Sequence, residues 1–459
     1  MTNAASLDWD TIGQESLDLF CALLRADTTN PPGHERLAID ILNAWLRQDA
    51  QLDPWIVESS PGRANLVVRL PATHPTPGQG PLLLAGHVDV VPADPATWTH
   101  PPFAGEVHDG MVWGRGALDM KHMVAMSAMI MRMLVRSGAP RTRDVIFAAV
   151  ADEEEGCTFG SQFLVDNHPD RVRAEYMLGE VGGFWLTIGQ QVYIPVQVAE
   201  KGQVHLRLKT YGPSAHGAIP HEDNALARIA RAIDRLATTR LPYHLTPAME
   251  RFIHELAAAQ PAPNKQILRG LLNKRLAGPI IDRVLPDRAN ARNFAALLHN
   301  TVSATMMQVG VKRNVIPPAA AVELDARILP GQTADDLVRE VRAVIADDKI
   351  EIEVVSARPA TWVDPIDTPL LDTIRAVCAE HAPQARCVPY MIPGFTDARA
   401  FAQLGARCYG FSPLMLDPKH NLKFSELFHG VDERIPVEGY LWGQRVLWDV
   451  VSRFIDVKH

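Results

Sequence analysis

The chain has 459 residues, 47% hydrophobic and 21% charged, with a net charge of −8 and a pI near 6.1. That length predicts two or three domains, and the acidic balance gives no basic footprint for a nucleic-acid partner. No apolar run reaches the roughly 18 residues of a membrane span, the first ten residues lack the basic and apolar segments of a secretion signal, and five scattered cysteines without a CxxC point to the cytoplasm.

Trp9, Ile12, Leu17, Phe20, Leu23 and Leu24 recur at helical spacing and predict a helix over 8–26. A loop at 28–33 leads to a second helix pattern over 35–48. Short strands follow at 55–58 and 65–69. The run Pro81 to Asp89 then carries four apolar residues into Gly86-His87-Val88-Asp89. It reads as a buried, parallel strand. Residues i and i+2 of a strand share a face, so His87 and Asp89 project together from its C-terminal end, where open α/β sheets place ligands. A long Pro- and Asp-rich loop spans 92–106. His108-Asp109-Gly110 turns into a strand, and Gly114-Arg-Gly-Ala-Leu-Asp119-Met-Lys121 opens a helix to 134. Its methionines at 120, 123, 126 and 129 are read as flexible core filler.

A further apolar strand over 143–150 ends in Asp152-Glu153-Glu154-Glu155-Gly156, and a shorter one at 176 ends in Glu180. Three short strands thus deliver acids and a histidine to one sheet edge. From about 192 the pattern alternates like a half-exposed antiparallel sheet. It continues through a loop holding His216, a helix over 224–236 and a helical stretch over 241–300. Strands at 301–310 and 319–328, a helix over 334–346 and a strand at 350–355 complete that region. After Pro359 the first texture returns, with helices over 369–378 and 436–454 and a strand over 406–411. This order predicts an α/β domain with a mostly parallel central sheet flanked by helices, spanning 1–197 and 358–459. An α+β domain is inserted over 198–357, two helices on an antiparallel sheet with an extra helical insert.

His87, His429, Asp119, Glu154 and Glu180 suffice for two metals sharing one bridging carboxylate. Nitrogen and oxygen donors of this kind suit zinc, with cobalt or manganese as alternatives. Two metals about 3.5–4 Å apart can hold a hydroxide and polarise a carbonyl at neutral pH. Glu153, left over beside them, is a candidate general base. Asp89 is read as a partner that orients His87.

With these motifs in order, the chain resembles the co-catalytic zinc peptidases and amidohydrolases. These include aminoacylase, carboxypeptidase G, acetylornithine deacetylase and succinyl-diaminopimelate desuccinylase. The resemblance spans residues 85 to 433, on Gly86-His87-Val-Asp89, Gly114 to Lys121, Asp152 to Gly156, Glu180, Gly212 to His216, Leu329-Pro-Gly331, Gly394-Phe-Thr-Asp397 and His429. It implies two zinc ions per chain, one on His87 and Glu180 and the other on Glu154 and His429, with Asp119 as the bridge. Glu153 would act as general base and Asp89 would support His87. The inserted domain would serve as lid and homodimer contact, and its His216 would stabilise the tetrahedral oxyanion. Arg327, with Asn314 as a second candidate and the Gly394 N–H, would grip a substrate carboxylate. The implied activity is hydrolysis of an amide next to a free carboxylate in a small molecule: a C-terminal peptide bond, a dipeptide or an N-acyl amino acid. Three features depart from the family pattern, one being the insert over 241–300, which lengthens the lid beyond the family's short forms. His122 stands where glycine is usual and is read as a packed histidine. The glycine pair after Glu180 is displaced by Val181. A non-catalytic binding protein on the same fold is the contrasting reading, weighed against by clustered acids that are costly to bury without a metal. A nucleotide-dependent enzyme lacks its glycine-rich fingerprint.

Overall fold

The computed structural model describes residues 7–285 and 288–457, so part of the expected signal-free terminus and residues 286–287 of the helical stretch lie outside the described residues. The chain divides into two compact units. The first comprises the chain up to Val198, Val363–Pro389 and the chain from Thr396 on. The second comprises Ala199–Trp362 and Tyr390–Phe395.

The first unit is built on a sheet ordered Trp55–Ser60, Arg63–Leu70, Val145–Val150, Leu82–His87, Tyr176–Gly179, Arg407–Gly410, Gln191–Glu200. Its centre is parallel: Val145–Val150, Leu82–His87, Tyr176–Gly179 and Arg407–Gly410 run in one direction, and the flanking strands pair antiparallel. Both faces of these central strands are covered, so they read as unbroken apolar runs such as Leu82-Leu-Leu-Ala and Val145-Ile-Phe-Ala-Ala-Val, with every residue buried. The register sets His87 beside Val150. The segments that leave these strands, through Asp89, Glu153 and Glu180, therefore emerge at one edge.

The helix Lys121–Ser137 is buried through Leu134 and stops at Gly138, whose φ of 59° is the left-handed C-terminal cap. Met123, Met126, Met129, Met131 and Met133 are at most 1% exposed, which is the core-filler role. Expected to open at Asp119, the helix opens two residues later, leaving Asp119 in the turn before it. Lys121 Nζ donates to the carbonyls of Leu23 (3.0 Å) and Ala26 (2.8 Å) at the end of Trp9–Arg25, pinning that turn to a neighbouring helix. Asp109 and Gly110, with φ of 50° and 73°, make the tight turn between Glu106–His108 and Met111–Trp113. The strand Ala385–Ile392 has no counterpart in the sequence reading. Pro389 inside it removes a ladder donor, and the strand joins beside Gln191–Glu200 off the main path of the sheet.

The second unit carries a four-stranded antiparallel sheet ordered Thr301–Val309, Ala319–Ile328, Gly202–Tyr211, Ile350–Arg358. Alternate residues Val204, Leu206, Leu208, Val322 and Leu324 pack against Ile229 of Ala225–Thr238 and Leu337 and Val341 of Ala334–Ile345. The stretch expected to be helical contains Pro247–Ala259, Asn264–Gly270, Lys274–Pro279 and Arg288–Leu298. Among the described residues no helix is long and apolar enough to cross a membrane.

Candidate metal centre

Two groups of potential ligands meet at the carboxyl edge of the parallel strands: His87, Asp119 and Glu180, and Asp119, Glu154 and His429. Within each, the ligand atoms lie within 4.8 Å of one another. His87 Nε2 stands 3.1 Å from Asp119 Oδ1 and 3.6 Å from Glu180 Oε2. His429 Nε2 stands 3.0 Å from Asp119 Oδ2 and 3.2 Å from Glu154 Oε2. The two oxygens of Asp119 thus serve different groups, which is the arrangement of a bridging carboxylate. His87 Nδ1 donates to the Asp89 carbonyl at 2.9 Å, which turns the Nε2 lone pair toward the centre. His429 is half-exposed, whereas His87, Asp119, Glu154 and Glu180 have side chains at most 8% exposed.

Such crowding shifts every member. Burial pushes Glu180 up to about 8. Burial first, then the Glu180 charge, holds Glu153 well above the usual carboxylate range. Glu154 is raised by burial and by Asp119. Burial opposes the charge on His87, yet Asp119, Asp89 and Glu180 outweigh it and hold its pKa well above the ordinary value. Contacts with Asp119 and Glu154 raise His429 to about 10. Asp119 itself is held low, against burial, by the two imidazoles. Glu154 Oε1 is buried without a hydrogen-bond partner. Converging buried carboxylates, neutral-capable imidazole nitrogens and an orphaned oxygen fit a pair of divalent cations by donor type.

The surrounding shell was only partly legible in the sequence. Asp89 carboxylate accepts the N–H groups of Glu153 (3.1 Å) and Glu154 (3.2 Å), so it fixes the turn bearing both acids. Its Oδ1 is 3.5 Å from His87 Nδ1, farther than its own carbonyl. Asn30 Nδ2 donates to Asp89 (2.9 Å) and to Asp152 (3.1 Å). Buried Arg63 pairs in two-pronged fashion with Glu35 and also reaches Asp152 at 2.7 Å. Asn30, Glu35 and Arg63 carry no motif that would have announced them. Val181, following Glu180, has a φ of 59°. A β-branched residue there costs on the order of 1–3 kcal/mol, so the displaced glycine is replaced by local strain while Glu180 still faces His87. His122 is 1% exposed, with no well-formed hydrogen bond to either ring nitrogen and the Ser412 backbone as a polar neighbour.

The remaining predicted residues belong to the second unit. His216 pairs across from Val315 on a short two-stranded ladder, and Gly217 N–H donates to the Asn314 carbonyl at 2.8 Å, so His216 and Asn314 are neighbours. His216 Nδ1 accepts the Ala218 N–H at 3.1 Å. That leaves Nε2 as the donor in the neutral ring. Arg327 binds Asp325 through Nε (3.2 Å) and Nη2 (3.1 Å), and its guanidinium lies 5.4 Å from the centre of the Phe395 ring, next to Gly394. A Cβ on Gly394 would meet nothing within 4 Å, so packing does not demand glycine there. A third His/Glu group, His100, Glu106 and His108, lies on the first unit's surface. Its imidazoles stack at 9°, so their in-plane lone pairs do not converge on one ion.

A family model described as Peptidase family M20/M25/M40 matches residues 83–453. The chain is 31% identical over 390 residues to the N-fatty-acyl-amino acid synthase/hydrolase PM20D1 of Homo sapiens, covering 82% of this chain and 74% of that protein. It is 25% identical over 447 residues to a probable succinyl-diaminopimelate desuccinylase of Staphylococcus epidermidis, covering 96% and 98%. Its fold is similar to that of an M20 family metallo-carboxypeptidase, Sso-CP2, from Sulfolobus solfataricus, with a TM-score of 0.70 at 15% identity, covering 96% and 100%.

Proposed function

The chain belongs to peptidase family M20/M25/M40 and is a metal-dependent hydrolase, and on that premise we propose that it cleaves an amide bond next to a free carboxylate, using two zinc ions per chain. The observation that carries the reading is Asp119, whose two oxygens face two separate ligand groups. His87 and Glu180 would hold one ion, Glu154 and His429 the other, with Asp119 shared. The ions would supply Lewis-acid polarisation of the scissile carbonyl and a low pKa for water.

The protein's own groups do the rest. Glu153, kept basic by burial and by the neighbouring acids, takes a proton from the attacking water and returns it to the leaving nitrogen. Asp89 holds the backbone of Glu153 and Glu154 in place. The Nε2–H of His216, set by the Ala218 N–H on Nδ1, donates to the tetrahedral oxyanion. Arg327, held by Asp325 through Nε and Nη2, would offer its remaining N–H groups to the substrate carboxylate, with the Gly394 N–H and Asn314 as further contacts. The second unit is assigned the lid and homodimer roles; its edge strand Thr301–Val309 exposes Met306 and Met307, 62% and 51% accessible, which suits an intersubunit contact. Five free cysteines suit the cytoplasm.

A second reading narrows the substrate to N-acyl amino acids. It is favoured by the relatives named N-fatty-acyl-amino acid synthase/hydrolase, 30–31% identical in cow and human. The test is metal analysis of the purified chain with a hydrolysis panel of dipeptides and acetyl, succinyl and fatty-acyl amino acids, with zinc or cobalt added. About two equivalents are expected. Glu153→Gln should keep its metal and lose about 10²–10⁴-fold in kcat. Full activity in a chelator, or equal turnover of substrates lacking the carboxylate, would overturn the reading.

A further inference from the structure

The turn that carries Asp119 and the segment that carries His429 are joined by one side chain, Glu433. It is fully buried. Its Oε1 accepts the N–H groups of Leu118 (2.6 Å) and Asp119 (3.0 Å). Its Oε2 accepts the Gly116 N–H (3.1 Å) and Arg115 Nη1 (2.7 Å). All four donors lie between Arg115 and Asp119, so this carboxylate spends its acceptor capacity on the one turn that presents the shared ligand. The backbone repeats the link. Gly114 N–H donates to the Glu433 carbonyl at 3.1 Å, Arg115 Nη2 donates to the Gly430 carbonyl at 2.9 Å, and Arg434 pairs across from Trp113.

A buried carboxylate with four donors is a fixed point. Two successive N–H groups aimed at one of its oxygens, the second belonging to Asp119 itself, fix the backbone from which the Asp119 side chain leaves. His429 lies four residues away on the same segment. We propose that Glu433 is a positioning residue of the metal centre: it fixes the spacing between the Asp119 carboxylate and the His429 imidazole and thereby sets the affinity for the cation held by Asp119, Glu154 and His429. Ligand positions need to be held to within about 0.5 Å, and besides the Arg115 contact to Gly430 the Glu433 carboxylate is the group that ties the Asp119 backbone to the His429 segment. The inference rests on the two-metal reading.

The test uses the full chain, stripped with a chelator and titrated with Co²⁺, followed by calorimetry and by the visible absorption of the bound metal. Melting of the metal-free proteins is recorded alongside. Wild type should take two equivalents. Glu433→Gln puts an N–H donor where Gly116 and Arg115 donate, and it should bind the second equivalent at least about tenfold more weakly, with an altered cobalt spectrum, the size seen for partners of metal ligands. Glu433→Asp keeps the charge one methylene short and should fall between the two, so it decides the matter if the glutamine variant does not fold. Asp119→Asn should cost less affinity in the glutamine background than in wild type, because the two changes act on one interaction. Wild-type affinity for both equivalents in either folded variant would overturn the proposal, even with a lowered melting temperature. A wild type that takes a single equivalent sinks the two-metal reading itself.

Discussion

His122 offers a direct measurement of what burial does to a side chain three residues from Asp119. It stands on Lys121–Ser137, 1% exposed, and burial pushes its pKa down to about 4 despite the nearby Asp119 charge and the Ser412 backbone. Above about pH 6.5 the ring is neutral in both folded and unfolded chains, and it adds no pH dependence. Between 6.5 and 4 the unfolded chain takes a proton that the folded one refuses, so stability falls as pH falls. The slope is at most about 1.4 kcal/mol per pH unit, and over the 2.5-unit shift the loss is about 3 kcal/mol. Below 4 the contribution is flat. His122→Leu, of similar volume, removes both the titration and two buried ring nitrogens that lack a well-formed hydrogen bond. It should gain about 1–3 kcal/mol at pH 7 and widen its lead by about 3 kcal/mol at pH 4. Urea unfolding of both proteins at several pH values, under equal metal, isolates the difference, because ligand protonation and metal release are common to both. Tryptophan fluorescence reads the relevant unit, since only Trp362 of the nine tryptophans lies in the second. Stability curves that stay parallel from pH 7 to 4, or a leucine variant weaker at pH 7, would refute the burial argument. An unchanged kcat is expected; a loss beyond tenfold with metal retained would move His122 into the chemistry.

Two further changes probe the shell around the acids. Asp89→Ala frees the backbone N–H groups of Glu153 and Glu154 and should lower metal affinity or kcat by about 10–100-fold; metal content and turnover measured together would show it, and a silent variant would remove Asp89 from the supporting role. Arg63→Met leaves Glu35 and Asp152 buried without their shared cation and should cost about 3–5 kcal/mol in unfolding experiments. Adding Glu35→Gln should return part of that loss, and an additive penalty would contradict the pairing.

The convergence of the candidate ligands was legible where its signals are local. Three of the four central strands are apolar runs that end in His87, Glu153-Glu154 or Glu180 within a few residues, and the fourth, Arg407–Gly410, carries no such residue. A parallel strand buried on both faces must read that way, and its carboxyl end must face the common edge. The inserted antiparallel sheet was legible for the same reason, since alternation follows from one face being covered. The strand Ala385–Ile392 escaped because Pro389 breaks the pattern that marks a ladder.

The sequence by itself determined the fold class and the order in which the candidate ligands stand, because periodicity and side-chain chemistry are properties of neighbouring residues. Only the tertiary structure decided that Asp119 offers one oxygen to each ligand group, that the Asp89 carbonyl rather than its carboxylate makes the short contact to His87, and that Glu433 binds a turn more than three hundred residues earlier in the chain. Those partners lie on loops without periodicity. Their hydrogen bonds are chosen by which donors the packed sheet leaves within reach, and a buried carboxylate must find them wherever the fold has put them.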